Sequence, residues 1–254
     1  MRFWSLVLAL LWMVPIDVFA QQDKKPRKKP KVKLTKWDEM DIGPFQAYGL
    51  EVAEGKDVWR PALKGLNIRV GPNLNAAVCY DTERMRLAAG WAGGFLKLPT
   101  GRDGLQGVPQ PAGEILYRTQ MAPGWAGPNG EWKAPRPPTI KDRDVYSYGP
   151  LPHEWAKWRG HYRAGQRVVL SYTVGSTKVL EMPDYDPAAG GIFIRWFDIT
   201  KVDQELVQHM LVAEEPDGVG EEHESGFLAR LGKDGIVTSV SVLMRQNVHD
   251  PHHS

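Results

Sequence analysis

Apolar and β-branched residues in this chain recur at every second position in short runs, and glycine or proline cuts almost every run. That alternation places successive side chains on opposite faces of an extended backbone, whereas a helix repeats at about 3.6 residues. Leu66, Ile68 and Val70 alternate within Leu63–Val70 as a half-buried strand would, and Gly71-Pro72-Asn73 then makes a turn. Ala76–Tyr80 and Met85–Ala89 read as a strand pair across Asp81-Thr82-Glu83. Phe45–Val52, Glu114–Arg118 and Ile192–Ile199 read as further strands. Tyr162–Val174 reads as a turn followed by a β-branched strand, with Lys178–Met182 returning across Gly175-Ser176. Phe227–Leu231 and Ile236–Leu243 make a last hairpin. Asp203–Val212 suits either a helix face or a strand, and its neighbours favour the strand.

Glycine and proline together supply 46 of 254 residues. Average usage is roughly 12%, so the excess demands many turns and short elements. No apolar stretch has the length and period of the helices that cover an α/β sheet, and no segment repeats at fixed spacing. The expected fold is all-β: a large antiparallel β-sandwich over residues 37–245, with long Gly/Pro/Trp-rich loops concentrated in residues 97–150.

The first twenty residues read as an export signal. Arg2 precedes an apolar run from Phe3 to Val14, Pro15 breaks it, and Val18-Phe19-Ala20 supplies small residues for cleavage after Ala20. The run is short for a membrane span, which needs about 20 apolar residues. The other reading is an uncleaved anchor. No later stretch reaches spanning length, so the mature chain is expected in the periplasm or outside the cell.

Residues 21–36 hold eight Lys/Arg and one Asp. The chain's formal net charge is +2 and this tract's is +7, so residues 37–254 carry −5. A Pro-broken polybasic run buries nothing and is expected to be a disordered arm. It either contacts an anionic surface or serves as a solubilising spacer. An acidic folded part in an exported chain argues against nucleic acid. Residues 246–254, which carry His249, His252 and His253, read as a flexible tail too loose to fix a metal.

Cys79 is the lone cysteine, so an internal disulfide and a Cys-x-x-Cys-His haem attachment are both excluded within this chain. Its apolar setting suits a buried small hydrophobe. Asp184-Tyr185-Asp186 and Glu221-Glu222-His223-Glu224 offer oxygen ligands, yet neither has the spacing of a calcium loop, and both read as solvated acidic loops. Ser171 and Ser225 lack a nucleophile-elbow context, and no glycine-rich phosphate loop follows a strand. The chain is therefore expected to be non-enzymatic, with no metal and no cofactor required. Ten tryptophans remain, several beside glycine: Trp91 with Gly90, Gly93 and Gly94; Trp125 with Gly124 and Gly127; Trp155 and Trp158 with Gly160. An exposed indole stacks on the C–H face of a sugar ring, while a buried one plugs the end of a sandwich. The ligand-binding candidates are Trp91, Trp125 and Trp155.

Several segments carry a resemblance as a set: Met40–Phe45, Lys64–Arg69, Ala77–Thr82, Met85–Leu96, Pro123–Ala126, Gly149–Pro152 and Gln166–Gly175. Together they resemble an uncharacterised domain near the N-terminus of large exported bacterial proteins, where it commonly precedes a haem-c domain and sugar-dehydrogenase-like regions. The resemblance spans roughly residues 37–245. It implies an accessory domain and supplies no catalytic residue.

Three functions follow as expectations. The first is an exported, non-catalytic module binding carbohydrate (a polysaccharide) or a partner protein. The second is an accessory subunit of a periplasmic haem-c dehydrogenase, docking an exported haem-c protein. The third is a glycoside-active enzyme using carboxylates such as Asp81, Asp184 or Glu222.

Overall fold

Strands that alternate and strands that are apolar throughout belong to two different sheets. The structure, a computed structural model, describes residues 40–99, 106–134, 149–188, 191–200, 209–212, 219–223, 226–233 and 236–247. In chain order the strands are β1 (Phe45–Ala47), β2 (Leu50–Glu54), β3 (Asp57–Ala62), β4 (Gly65–Val70), β5 (Ala76–Asp81), β6 (Arg86–Ala92), β7 (Leu96–Lys97), β8 (Gln110–Pro111) and β9 (Glu114–Arg118). They continue with β10 (Ala156–Ala164), β11 (Arg167–Val174), β12 (Thr177–Asp186), β13 (Ile192–Thr200), β14 (Val219–His223), β15 (Gly226–Lys233) and β16 (Ile236–Asn247). Among the described residues there is no α-helix.

One sheet has five strands in the order β1-β4-β5-β6-β9, and the other seven in the order β10-β11-β12-β13-β16-β15-β14. The facing sides share one core. Ile68, Val78, Tyr80 and Tyr117 of the first sheet meet Leu170, Tyr172, Phe193 and Phe197 of the second. The far side of the five-stranded sheet is covered too, by Leu50 of β2, Ala62 of β3 and Phe95 packed on Ala77, Cys79, Ala89 and Trp91. The five-stranded sheet is thus a middle layer. A sheet covered on both faces buries consecutive residues, and β5 is buried at all six positions. β11 and β12 face solvent on one side and alternate buried with exposed or half-buried residues.

The all-β sandwich class agrees with the sequence, and several details differ. β4 is not half-buried, because Asn67 on its second face lies under the covering layer. Phe45–Val52 breaks at Tyr48-Gly49 into β1 and β2. Tyr162–Ala164 belongs to a long β10, leaving Gly165-Gln166 as the turn. The sandwich is not wholly antiparallel, since β13 and β16 run parallel with Ile192 opposite Ser239. Glu221-Glu222-His223 is not a loop but part of β14. Of Asp203–Val212, residues 203–208 lie outside the described residues, and Met210 makes an isolated bridge to Trp125 in place of a strand. Residues 1–36 and His249–Ser254 also lie outside the described residues, whereas residues 246 and 247 of the expected tail belong to β16.

Two buried arginines hold the core, Arg195 within the seven-stranded sheet and Arg86 between the five-stranded sheet and its outer cover. The Arg195 Nε donates to Glu181 Oε1 at 2.6 Å, and the Tyr172 hydroxyl donates to Glu181 Oε2 at 2.7 Å. Arg195 and Glu181 are both fully buried between the sheets. Arg86 donates to Thr119 O and Thr119 Oγ1 at 2.9 Å, to Gln120 O, and to Pro61 O at 2.6 Å, with Asp81 at 3.4 Å. It joins β3, β5, β6 and the end of β9. An unpaired buried charge is far worse than either a pair or an apolar replacement of both partners. Arg195→Met alone is therefore expected to destabilise the fold by roughly 3–5 kcal/mol in urea unfolding, because Glu181 keeps its charge without a partner.

Burial also raises the Tyr117 phenol to about 12, and it lifts Tyr80 and Tyr172 well above the ordinary tyrosine value. Tyr117 donates to Val212 O at 2.6 Å. A raised folded-state pKa stabilises fully below the unfolded value near 10 and is lost as pH climbs through the folded value. Between about pH 10 and 12, Tyr117 alone should remove roughly 1.4 kcal/mol per pH unit. Absorbance near 295 nm should then show tyrosinate from the buried phenols appearing only together with unfolding.

Candidate functional site

The three tryptophans that the sequence offered as ligand-binding candidates are core residues. Trp91, on β6, has no exposed surface, and its Nε1 donates to Phe95 O at 2.7 Å. Trp125 is 2% exposed and stands edge-on to Tyr172 and Phe197, at 6.3 and 6.1 Å between centroids. Trp155 is 3% exposed and donates from Nε1 to Trp125 O at 3.0 Å. Trp125 and Trp155 share the core between the sheets, and Trp91 lies in the core on the other side. A ring enclosed this way offers no face to a sugar. The neighbouring glycines have a packing cause. A Cβ on Gly124 would stand 1.9 Å from Met85 O, and one on Gly90 would stand 2.7 Å from the Phe193 ring. Glycine beside tryptophan here marks close approach within the core, not a loop that presents a ring.

The expected carboxylates are engaged structurally. Asp81 is buried, accepts from the backbone N–H groups of Glu83 and Arg84, and faces Arg86. Desolvation pushes its pKa up, with Arg86 opposing that shift. Asp184 Oδ1 accepts from the Gly71 and Tyr185 N–H groups, and Asp184 lies at the end of β12. Glu222 sits in β14 opposite Phe227. Among the described residues no group of three His, Cys, Asp or Glu side chains is placed to hold a metal. Cys79 is a free, buried thiol that desolvation drives far above the ordinary range, so it stays protonated.

The structure instead forms an open groove of about 640 Å³ along one side of the sandwich. Its walls are the Ala47–Leu50 connection, the end of β3 with Leu63-Lys64-Gly65, Val108, Thr82, and Trp158 with His161 from β10. β1 and β10 are edge strands of the two sheets, and Phe45 meets His161 at 4.5 Å between rings, so the groove runs where the two edges approach.

Glycines and one amide build the first wall. A Cβ on Gly49 would lie 2.8 Å from Leu63 O, and one on Gly65 would lie 2.7 Å from Tyr48 O. The two chain reversals can touch only because neither residue has a side chain. The buried Asn67 donates to Tyr48 O at 3.0 Å, and Thr82 donates to Lys64 O through both its N–H and its hydroxyl. Tyr48 is left 49% exposed at the rim. Arg60 and Lys64 stand beside it, held by Glu51 at 3.2 Å and Glu83 at 3.1 Å.

A β-bulge builds the second wall. Trp158 pairs with Tyr172, but the next partnered residue is Gly160, opposite Ser171. Residues three apart in a regular strand point to opposite faces. The extra residue at Arg159 returns His161 to the face of Trp158, with the rings 6.5 Å apart. Gly160 carries this bulge at φ +134°, a conformation that side chains rarely adopt. Trp158 also packs on Tyr80 at 5.9 Å, which seats the groove on the sandwich core.

The groove thus presents two aromatic side chains, two guanidinium or ammonium groups, one imidazole and two hydroxyls, those of Tyr48 and Thr82. Of these, sequence reading had singled out Trp158 alone. Tyr48, Arg60, Lys64 and His161 carry no local signature beyond the glycines that follow Tyr48 and Lys64.

Residues 78–181 match a family model described as a domain of unknown function (DUF6797). That span runs from β5 through part of β12 and includes Trp158 and His161, but not Tyr48, Arg60 or Lys64. Searches of curated proteins and of solved structures found no match.

Gly160→Ala should destabilise the fold by roughly 1–3 kcal/mol in urea unfolding, because φ +134° is strained for alanine although no atom lies within 4 Å of the new methyl. If stability is unchanged, the bulge is not held in this conformation.

Proposed function

We propose that this chain is an exported, non-catalytic β-sandwich module whose edge groove binds carbohydrate. One observation carries the reading: Tyr48, exposed, and Trp158, half-buried, line the same open groove as Arg60, Lys64, Thr82 and His161. Sugar sites combine flat aromatic surface for the C–H faces of the ring with a few fixed polar groups for its hydroxyls. Export rests on the N-terminal segment, and the polybasic tract before the domain suits an anionic surface near the place of action.

A second reading is an accessory subunit of an exported haem-c dehydrogenase system. It rests on the sequence resemblance and on a different surface. On the outer face of the seven-stranded sheet Tyr162 of β10 lies opposite Val169 of β11 and Met182 of β12 opposite Trp196 of β13, and Tyr162 and Trp196 are exposed. Trp196→Asp should then abolish co-purification of a haem protein with the native chain. Absence of haem absorbance from the unaltered chain's pull-down would remove this reading.

The carbohydrate reading is tested by affinity electrophoresis of the full chain through gels containing neutral and acidic polysaccharides. Trp158→Ala and Tyr48→Ala should each abolish retardation by the retained polysaccharide. Tyr48→Ala should keep the wild-type melting temperature. Trp91→Ala, which empties part of a core, should instead cost roughly 3–5 kcal/mol of stability. Retardation unchanged in both groove variants, or absent for the unaltered chain on every polysaccharide, would overturn the reading.

A further inference from the structure

The groove's charge deepens that reading by naming the class of sugar, and it depends on the groove being a sugar site. Three lining residues are basic, Arg60, Lys64 and His161, and none is a carboxylate. They sit on a body that carries −5 over residues 37–254, so a basic lining runs against the overall charge. Neutral glycans need hydroxyl-directed acceptors as well as donors, and amide and carboxylate side chains are the usual acceptors. Here Arg60 and Lys64 only donate, no amide or carboxylate side chain lines the groove, and the side-chain acceptors are the Tyr48 and Thr82 hydroxyls and the His161 ring.

The hold on Arg60 is also specific. Its Nε donates to Glu51 Oε2 at 3.2 Å, and no bond of its two terminal amino groups is found among the described residues. Glu51 fixes the guanidinium from one side, and the end that pairs with carboxylates in a fork stays available. Lys64 is steadied in the same way by Glu83, with its side chain largely exposed. Glu51 and Glu83 themselves are not among the lining residues. Each carboxylate offsets much of its partner's charge, at 3.2 and 3.1 Å, so the pairs fix two donor-rich groups at the rim without placing a carboxylate on the groove walls.

We propose that the groove selects an anionic glycan, with Arg60 receiving the acidic group of a sugar whose ring lies against Trp158 and Tyr48. The acidic group is a uronate carboxylate or a sulfate ester, two sources of the same recognition chemistry.

Calorimetric titration of the full chain tests this with three probes: a tetragalacturonate, its fully methyl-esterified form, and a sulfated galactan tetrasaccharide. The basic tract is common to every variant, so differences between variants report the groove. The acidic probe should bind about tenfold or more tighter than its ester, and that advantage should shrink as salt rises from roughly 50 to about 300 mM. Arg60→Gln should lose the advantage, bringing the acidic probe down to the affinity of the ester for the same variant, with the melting temperature unchanged. Trp158→Ala should lose both probes. Preference for the sulfated probe over the uronate, abolished by Arg60→Gln, supports the inference with sulfate as the source. Equal binding of acid and ester would overturn the anionic assignment and leave the sugar reading standing. Binding of an acidic probe that neither Arg60→Gln nor Trp158→Ala changes would overturn the assignment to this groove. No binding of any probe would overturn the inference together with the reading it rests on.

Discussion

The buried ion pair between Arg195 and Glu181 sets the terms for everything packed around it. Neither group is tolerable between two apolar sheets without the other, so β12 and β13 must bring them together, and their antiparallel register does so. The remaining carboxylate oxygen is taken by Tyr172 from β11. Tyr172 packs on Tyr80 at 6.0 Å, and Tyr80 packs on Trp158 at 5.9 Å. A chain of contacts therefore runs from the centre of the sandwich to the floor of the groove. The groove's aromatic surface is as well supported as the core because it is the core's last layer.

The second constraint is that the five-stranded sheet is covered twice. Its near face meets the seven-stranded sheet, and its far face meets the β2–β3 hairpin and the segment around Phe95. Arg86 holds that arrangement by reaching Pro61 at the end of β3, Asp81 on β5 and Thr119 beyond β9. The connection from β1 to β2 must climb over the sheet edge to reach the outer layer. That climb, passing Tyr48-Gly49 against Leu63-Lys64-Gly65, raises one wall of the groove, and the bulged edge strand β10 raises the other.

Much of the strand pattern was legible in the sequence. β5, β6, β9, β11, β13 and β15 lie where alternation and turn residues put them, because both signals arise from neighbouring residues; β12 runs on through Asp184-Tyr185-Asp186, which read as a solvated acidic loop and is strand instead, and β16 runs on to Asn247. β10 was illegible, since the bulge between Trp158 and Gly160 breaks its period and its last residues, from Tyr162, read as a turn. β14 was illegible, because glutamates paired along a strand look like a solvated loop. The candidate site was almost wholly hidden. Trp91, Trp125 and Trp155 share the glycine-rich setting of Trp158, and nothing local distinguishes a ring closed in the core from one that opens onto a groove.

What the sequence determined by itself is the class of structure and the places where strands start and stop. Both follow from side-chain alternation and from backbone freedom at glycine and proline, which act over a few residues. Only the tertiary structure decided which strands are covered on one face and which on two, and so which aromatic rings face protein. It also decided that Tyr48, Arg60, Lys64, Trp158 and His161, spread over more than a hundred positions, border one cavity. The reason is that burial and proximity depend on which sheet edges meet, and in this fold the meeting of β1 with β10 joins segments that share no local pattern.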